Sequence, residues 1–541
     1  MTETNSASVI FKEFKEHSIA EFFKKNKQML GYSGLVHSLV TVVHEYVTNS
    51  LDACEEAGIL PDISVEVRPV EEDRYLVRVR DNGPGIPKKF VGKALATILA
   101  GTKFHRYMQQ RGQQGIGAAG CTMFSQITTG KPVIVRSSTG DDDGYSCKVY
   151  IDTMTNKPVV TEVANAEVPR GLEVQGEFGS VKYENSDHGV YEYLKRTALA
   201  NPHAQIEFID PNGKTNLLMR ATDIIPKRPV PVKPHPLGVS VNDILELAQI
   251  SESRKVSAFL MESLSRVSQG KIDEIRKIVG AEALEMAPRL LKWDDAKALV
   301  KAFKAIKWIA PDSSSISAIG EQQVKTALKN ILNPEYMYVV ERKPGIFAGG
   351  VPFVVEAALA YGGNSGKKVA EDAYEGNILR FANRVPLLFD SGGCAITVAA
   401  RSIQWKRYGI DLDTQPVSVF VNVSSVHIPY SGVGKESIAQ EDEIIEEIKL
   451  ALMDAGRGIQ RYIRGKERIG TEAGKYKTIM RYTKQLSKDV SALTGEDQGK
   501  IESELAALVS SHYKDILNDK GSETPEEGEA AGAQDDSGEG Q

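Results

Sequence analysis

The stretch that most constrains this chain is residues 44–53, HEYVTNSLDA, in which Asn49 follows Glu45 by four positions and Asp52 follows it by seven. On an α-helix those spacings put all three polar side chains on one face. Leu39, Val43, Val47 and Leu51 form an apolar stripe on the other side, suited to a core. The pattern predicts a helix over residues 35–57, ending near Gly58 and Pro61. Two readings fit the polar face. It is a solvated surface, or it is a site where a carboxamide oxygen holds a hard cation and a carboxylate polarises water.

Length and composition narrow the setting. A chain of 541 residues exceeds one core, so about three or four domains are expected. With 41% hydrophobic and 26% charged residues, the composition is that of a soluble globular protein. The longest apolar run, residues 351–363, is broken by Pro352, Glu356 and glycines, so no membrane span is expected. No signal-peptide pattern opens the chain. Cys54, Cys121, Cys147 and Cys394 are scattered without a C-x-x-C pair, which predicts free thiols in a reducing cytoplasm. The net charge of −6 includes seven acidic residues in positions 521–541, so residues 1–520 carry about +1. That tail is expected to be disordered.

Residues 9–30 read as an amphipathic arm with Phe14, Phe22 and Phe23 among its apolar positions. Two alternating segments, residues 63–68 and 75–80, predict antiparallel strands, and the second runs into Asp81-Asn82-Gly83-Pro84-Gly85. That turn leaves Asp81 at a strand end, facing a cavity or simply closing a loop. Next come Gly101-Thr102-Lys103 and Arg111-Gly112-Gln113-Gln114-Gly115-Ile116-Gly117-Ala118-Ala119-Gly120, then a helix-compatible segment. Glycines let backbone N–H groups approach phosphate, and a helix N-terminus adds a favourable dipole. The run is neither a Walker A loop nor a dinucleotide fingerprint.

Further strands are expected at residues 132–136, 147–151, 172–178 and 205–209. A connector rich in proline (Pro226, Pro229, Pro231, Pro234, Pro236) precedes short amphipathic helices over residues 240–308. A third region alternates again, with a strand at residues 417–423 and a long helix over residues 436–464. Lys435, on a Gly-flanked loop, is thereby placed at a helix N-terminus, where a cation is disfavoured unless an anion meets it. A basic stretch follows, with Tyr462, Tyr476 and Tyr482 interleaved, fitting either phosphate contact or a solvated face.

In their order and spacing, E-x-x-x-N-x-x-D, D-x-G-x-G and G-x-x-G-x-G resemble the motifs of the GHKL ATPases. At Leu172, within Arg170-Gly171-Leu172-Glu173-Val174, that superfamily often has Thr. Over residues 8–515 the chain resembles the B subunits of DNA topoisomerase VI, the type IIB topoisomerases. The resemblance is carried by Lys233-Pro234-His235-Pro236-Leu237-Gly238, Pro352-Phe353-Val354-Val355-Glu356, Trp405-Lys406-Arg407-Tyr408 and the loop before Lys435.

That resemblance implies an α+β multidomain chain. Residues 1–225 would be a GHKL (Bergerat) ATP-binding α/β sandwich with an N-terminal arm. Residues 226–308 would be a helix-two-turn-helix domain, and residues 309–465 an α/β transducer domain with a long C-terminal helix. A basic helical segment (466–520) and the acidic tail (521–541) complete it.

The resemblance further implies that Glu45 is the general base and that Asn49 holds Mg²⁺. Asp81 would bind the adenine amino group of ATP. Thr102, Lys103 and the backbone of residues 113–120 (Gln113, Gln114, Gly115, Ile116, Gly117, Ala118, Ala119, Gly120) would enclose the phosphates. Lys435 would reach the γ-phosphate, and Asp52 would hydrogen-bond within the site in support. The implied isomerase is an A2B2 heterotetramer. ATP would dimerise the B subunits, and one double-stranded DNA would pass through a break made by the A subunit, relaxing supercoils and decatenating DNA. Trp405–Tyr408 would contact DNA. A mismatch-repair clamp, a sensor histidine kinase and a non-hydrolysing scaffold share parts of the pattern. The insert at 240–308, the short region before the motif helix and Glu45 argue against them in turn.

Overall fold

The computed structural model describes residue 23 and residues 25–98, 107–112, 115–140, 144–311, 313–370, 373–432 and 434–513. The expected N-terminal arm (apart from its last residues), the acidic tail, Thr102, Lys103, Gln113 and Gln114 lie outside them. The chain divides into two units between Arg457 and Gly458.

The first unit begins with helix α1, Leu35–Glu56, which buries Leu39, Val43, Val47 and Leu51 as the apolar stripe requires. Strands β1 (Asp62–Glu71) and β2 (Arg74–Asp81) form an antiparallel hairpin in which Ile63 faces Asp81. After the short helix α2 (Val91–Ala96) and helix α3 (Gly117–Thr129) come β3 (Val133–Ser138), β4 (Tyr145–Ile151), β5 (Pro158–Asn165) and β6 (Gly171–Gly179). Helix α4 (Val190–Ala200), β7 (Gln205–Ile209) and β8 (Thr215–Leu218) close this part. The strands make one mixed sheet in the order β5-β4-β3-β6-β2-β1-β7-β8, with β1 and β7 parallel and the other neighbours antiparallel. Helices α1, α3 and α4 pack against it over one apolar core. The edge strands β5 and β8 leave little signal in the sequence, because neither alternates strongly and both are largely exposed.

Residues 241–305 hold helices α5 (Val241–Ile250), α6 (Val256–Ser263), α7 (Gln269–Val279), α8 (Ala281–Glu285) and α9 (Trp293–Ala305). They enclose a core of their own, built on Ile244, Phe259, Ile272, Leu299 and Phe303. Ser240 and Asp243 form a reciprocal capping box at the start of α5.

Helix α10 (Glu321–Leu332) then packs with α4, so one apolar cluster joins the first sheet's helices to the third region. The second sheet contains β9 (Tyr336–Glu341), β10 (Gly345–Phe347), β11 (Val351–Tyr361), β14 (Asn377–Ala382), β15 (Val385–Pro386) and β16 (Val417–Ser425). A separate ribbon pairs β12 (Lys367–Ala370) with β13 (Ala373–Glu375). β11, the chain's longest apolar run, is a central strand buried from Val351 to Ala360. Burial on both faces explains why the strand is apolar throughout except at Glu356, whose carboxylate accepts from Gly320 N and Asn422 Nδ2. A short helix, α11 (Ala395–Arg401), covers β14.

The long helix, α12, runs Asp442–Thr494 rather than over residues 436–464. Ile438 fits the helical period, but it is buried in an isolated bridge with Tyr430, and residues 434–441 hold no helix. Lys435 is therefore not at a helix N-terminus, and the dipole argument for it fails. In the second unit, α12 continues and helix α13 (Gln498–His512) follows. Tyr476 packs edge-on against Tyr513 at 5.7 Å. No described helix is long and apolar enough to cross a membrane.

Candidate nucleotide site

The first half of the α1 polar face opens into a cavity of about 590 Å³, within the usual range for a small-molecule site. Its wall brings together Glu45, Asn49, Asp81, residues 115–120 and Lys435, which are dispersed over almost the whole folded chain. Val79, Ile86, Leu172 and Val174 supply an apolar side.

Glu45 lies against the start of α3, where a Cβ on Gly117 would overlap its carboxylate. Helix α3 follows directly on residues 115–116, so its free backbone N–H groups face the cavity, as an anion site requires. Asn49 is exposed to the same space. Among the described residues no group of three His, Cys, Asp or Glu could hold a metal. A carboxamide beside a carboxylate fits a hard cation that takes its other ligands from phosphate and water.

Asp81 is fixed at the end of β2. Its Oδ2 accepts from Ser50 Oγ at 2.7 Å, and its Oδ1 accepts from the N–H groups of Gly83 (2.9 Å) and Leu172 (3.3 Å). Burial pushes its carboxyl above the ordinary value, against the pull of those three donors. Gly171 has φ +134, and a Cβ there would collide with the Asp81 carbonyl. Asp81 is thus held by the Ser50 hydroxyl and two backbone N–H groups, and takes no contact from the side chain at position 172 among these. Ser50 carries no signal in the sequence beyond its place beside Asn49.

Asp52 departs from expectation. It faces away from the cavity and accepts from Arg111 Nη1 at 2.6 Å. Arg111 also donates through Nη2 to Glu55 Oε1 and Asn201 Oδ1, both at 2.6 Å. Asn49 and Ala53, the neighbours of Asp52, still line the cavity, so it is the side of the helix on which Asp52 stands, and not its distance from Glu45, that gives it to Arg111. Burial alone would raise the Glu55 carboxyl, but Arg111, Arg384 and His203 hold it well below the ordinary value.

Lys435 adopts φ +55, a left-handed conformation that non-glycine residues rarely take. Its Nζ donates to the Arg111 carbonyl at 3.4 Å. The neighbouring Glu436 pairs with His37 of α1 at 2.5 Å. His44, which also lines the cavity, is lowered by burial, opposed by Glu45 and assisted by Lys435. The cavity is closed further by residues 386–389 after β15, a contribution that no sequence motif signals.

Trp405 is buried at 7% exposure, and its indole N–H donates to the Ala400 carbonyl at 2.9 Å. It supports the fold and is not available for stacking on a base. Lys406, 85% exposed at its side chain, and Arg407 present the charge of that element.

Residues 34–154 match the family model for histidine kinase-, DNA gyrase B- and HSP90-like ATPases, and residues 311–475 match the topoisomerase VI B subunit transducer. The B subunit of type 2 DNA topoisomerase 6 from Pyrococcus horikoshii is 44% identical, with 93% of this chain and 96% of that one covered. The protein of the same name from Methanothermobacter thermautotrophicus is 44% identical, over 90% of this chain and 93% of its own. With such identity over nearly the full length, and with the nucleotide motifs gathered around one cavity, the chain belongs to the family of type 2 DNA topoisomerase 6 B subunits.

Proposed function

We propose that this chain is the ATP-binding and hydrolysing subunit of a type IIB DNA topoisomerase. The observation that carries the reading is the convergence of Glu45, Asn49, Asp81, the start of α3 and Lys435 on one cavity, from a helix, a strand end, a second helix and a loop far apart in the chain. The division into residues 1–225, 226–308, 309–465 and 466–520 belongs to the same reading.

ATP enters with its base on the apolar side. Asp81, oriented by Ser50, accepts a hydrogen bond from the exocyclic amine. The triphosphate runs toward the N-terminus of α3, where backbone N–H groups and the helix dipole receive it. Thr102, Lys103, Gln113 and Gln114, which lie outside the described residues, would also contact the phosphates. Asn49 would hold Mg²⁺, which supplies charge neutralisation along the phosphates. Glu45 takes a proton from a water that attacks the γ-phosphorus; the bond to the bridging β–γ oxygen breaks, and ADP and phosphate result.

Lys435 senses the γ-phosphate from the third region. A charge-assisted contact of this kind contributes about 1.5–3 kcal/mol, enough to bias two domain orientations. ATP-dependent dimerisation of two such chains then gates passage of a DNA duplex through a break made by the A subunit, in an A2B2 complex. Buried free thiols suit a reducing cytoplasm.

Mixing this chain with its cognate A subunit should give ATP-dependent relaxation of supercoiled DNA. Nucleotide hydrolysis without relaxation by any cognate pair would favour a clamp instead.

A further inference from the structure

The segment Tyr107 to Gly112, which leads into the glycine-rich run and opens it, exchanges hydrogen bonds with the connector, the third region and the Lys435 loop. The Tyr107 carbonyl accepts from Val232 N (3.0 Å), in the proline-rich connector. Gln109 N donates to the Ser315 carbonyl (3.0 Å), and Gln109 Oε1 accepts from Ser317 N (2.6 Å). The Gln110 carbonyl accepts from Asn383 Nδ2 (3.0 Å), and the Arg111 carbonyl from Lys435.

Beneath this segment, Arg111 and Arg384 are joined twice. Glu55 gives one carboxylate oxygen to each guanidinium, Oε1 to Arg111 at 2.6 Å and Oε2 to Arg384 at 2.8 Å. Asn201 accepts from Arg111 through Oδ1 and donates through Nδ2 to the Arg384 carbonyl at 3.0 Å. Both arginines are buried, with side chains 3% and 5% exposed.

Arg384 stands where the backbone disfavours it. Asn383 and Arg384 form the two-residue loop between β14 and β15, with φ +49 and +66. Positive φ at both positions is the requirement of a type I′ turn, whose preferred second residue is glycine. An arginine there costs backbone energy that its side chain must offset elsewhere.

We propose that Arg384 is a positioning residue for the ATPase cycle. It acts through Glu55 and Asn201 on Arg111, and so links the nucleotide-binding segment and the lysine that touches it to the second sheet. When ligand binding shifts Arg111, the paired arginines carry that shift to the β14–β15 hairpin. This rests on the reading of the cavity as the nucleotide site.

The test uses the full chain and hydrogen exchange with and without a non-hydrolysable ATP analogue, read at Asn377–Ala382 and Ala395–Arg401, which do not line the cavity. In the wild type the analogue slows exchange there by about tenfold, within the range of coupling between sites. Arg384→Gly creates an Asn-Gly turn suited to the backbone, so the fold and the analogue affinity are retained while that slowing is lost. Arg384→Lys, which keeps the charge, restores part of it. Undiminished slowing in Arg384→Gly overturns the proposal. Lys435→Ala separates the two readings. If it keeps the slowing while Arg384→Gly loses it, the relay stands and the lysine reading fails. If only Lys435→Ala loses it, the relay is overturned and the lysine reading stands.

Discussion

The two halves of α1's polar face carry the same kinds of side chain and do different things. Glu45 and Asn49 open to a cavity, whereas Asp52 and Glu55, two to three turns on, are sealed against Arg111, Arg384 and His203. A carboxylate with room for water beside it can move a proton. A carboxylate saturated by buried guanidiniums cannot, but it can transmit position, because breaking one contact leaves an uncompensated charge. On the proposed reading, solvent access and partners, not residue type, would separate chemistry from mechanics on this helix.

Substitutions at matched positions probe that contrast. The largest effect is expected from Glu45→Ala, which should lower ATP turnover by about 10²–10⁴-fold while nucleotide binding and dimerisation persist; steady-state hydrolysis beside a binding titration checks it. Glu55→Ala strands Arg384, takes from Arg111 one of its two carboxylate partners and should destabilise the chain by about 3–5 kcal/mol, read by denaturant unfolding. The same substitution at Glu45 should leave stability far less changed. Asp81→Asn should weaken ATP binding by about 1.5–3 kcal/mol, measured by calorimetry, because a charged acceptor is lost.

The pH dependence of stability sharpens the contrast. Glu55 is held lower in the folded chain than its ordinary value of 4.5, so its contribution is full above that pH and is lost as pH falls toward the folded value. Asp81 is raised above its ordinary 3.8, so its effect has the opposite sign. It favours the fold below that pH, and this is lost as pH rises through the folded value. Glu55→Gln should flatten the acid limb of the stability curve, and Asp81→Asn should not. The smallest effect belongs to Lys406→Ala, expected within about 0.5 kcal/mol of wild type in thermal unfolding, whereas Trp405→Ala in the same element should cost about 3–5 kcal/mol.

Much of the site is legible in the sequence because its chemistry is local there. Glu45 and Asn49 share one helix, Asp81 closes a strand, and Gly115 and Gly117 open another helix. Helical spacing defines a face but not what stands opposite it. Asp52 can therefore be read as a supporting residue, but its partner Arg111, distant in the chain, is not foreseen. The Lys435 loop is misread for a related reason, since a buried Ile438 satisfies a helical period and a bridge equally well. Trp405 shows the same limit: W-K-x-Y does not say which side chains turn inward.

The claim that the buried half of α1 couples and the open half catalyses is tested most directly by counting ATP molecules hydrolysed per supercoil removed. The assay uses Glu55→Gln assembled with its A subunit. Hydrolysis should persist while relaxation falls, raising the ratio about tenfold. Hydrolysis and relaxation that decline together, with the ratio unchanged, would contradict it.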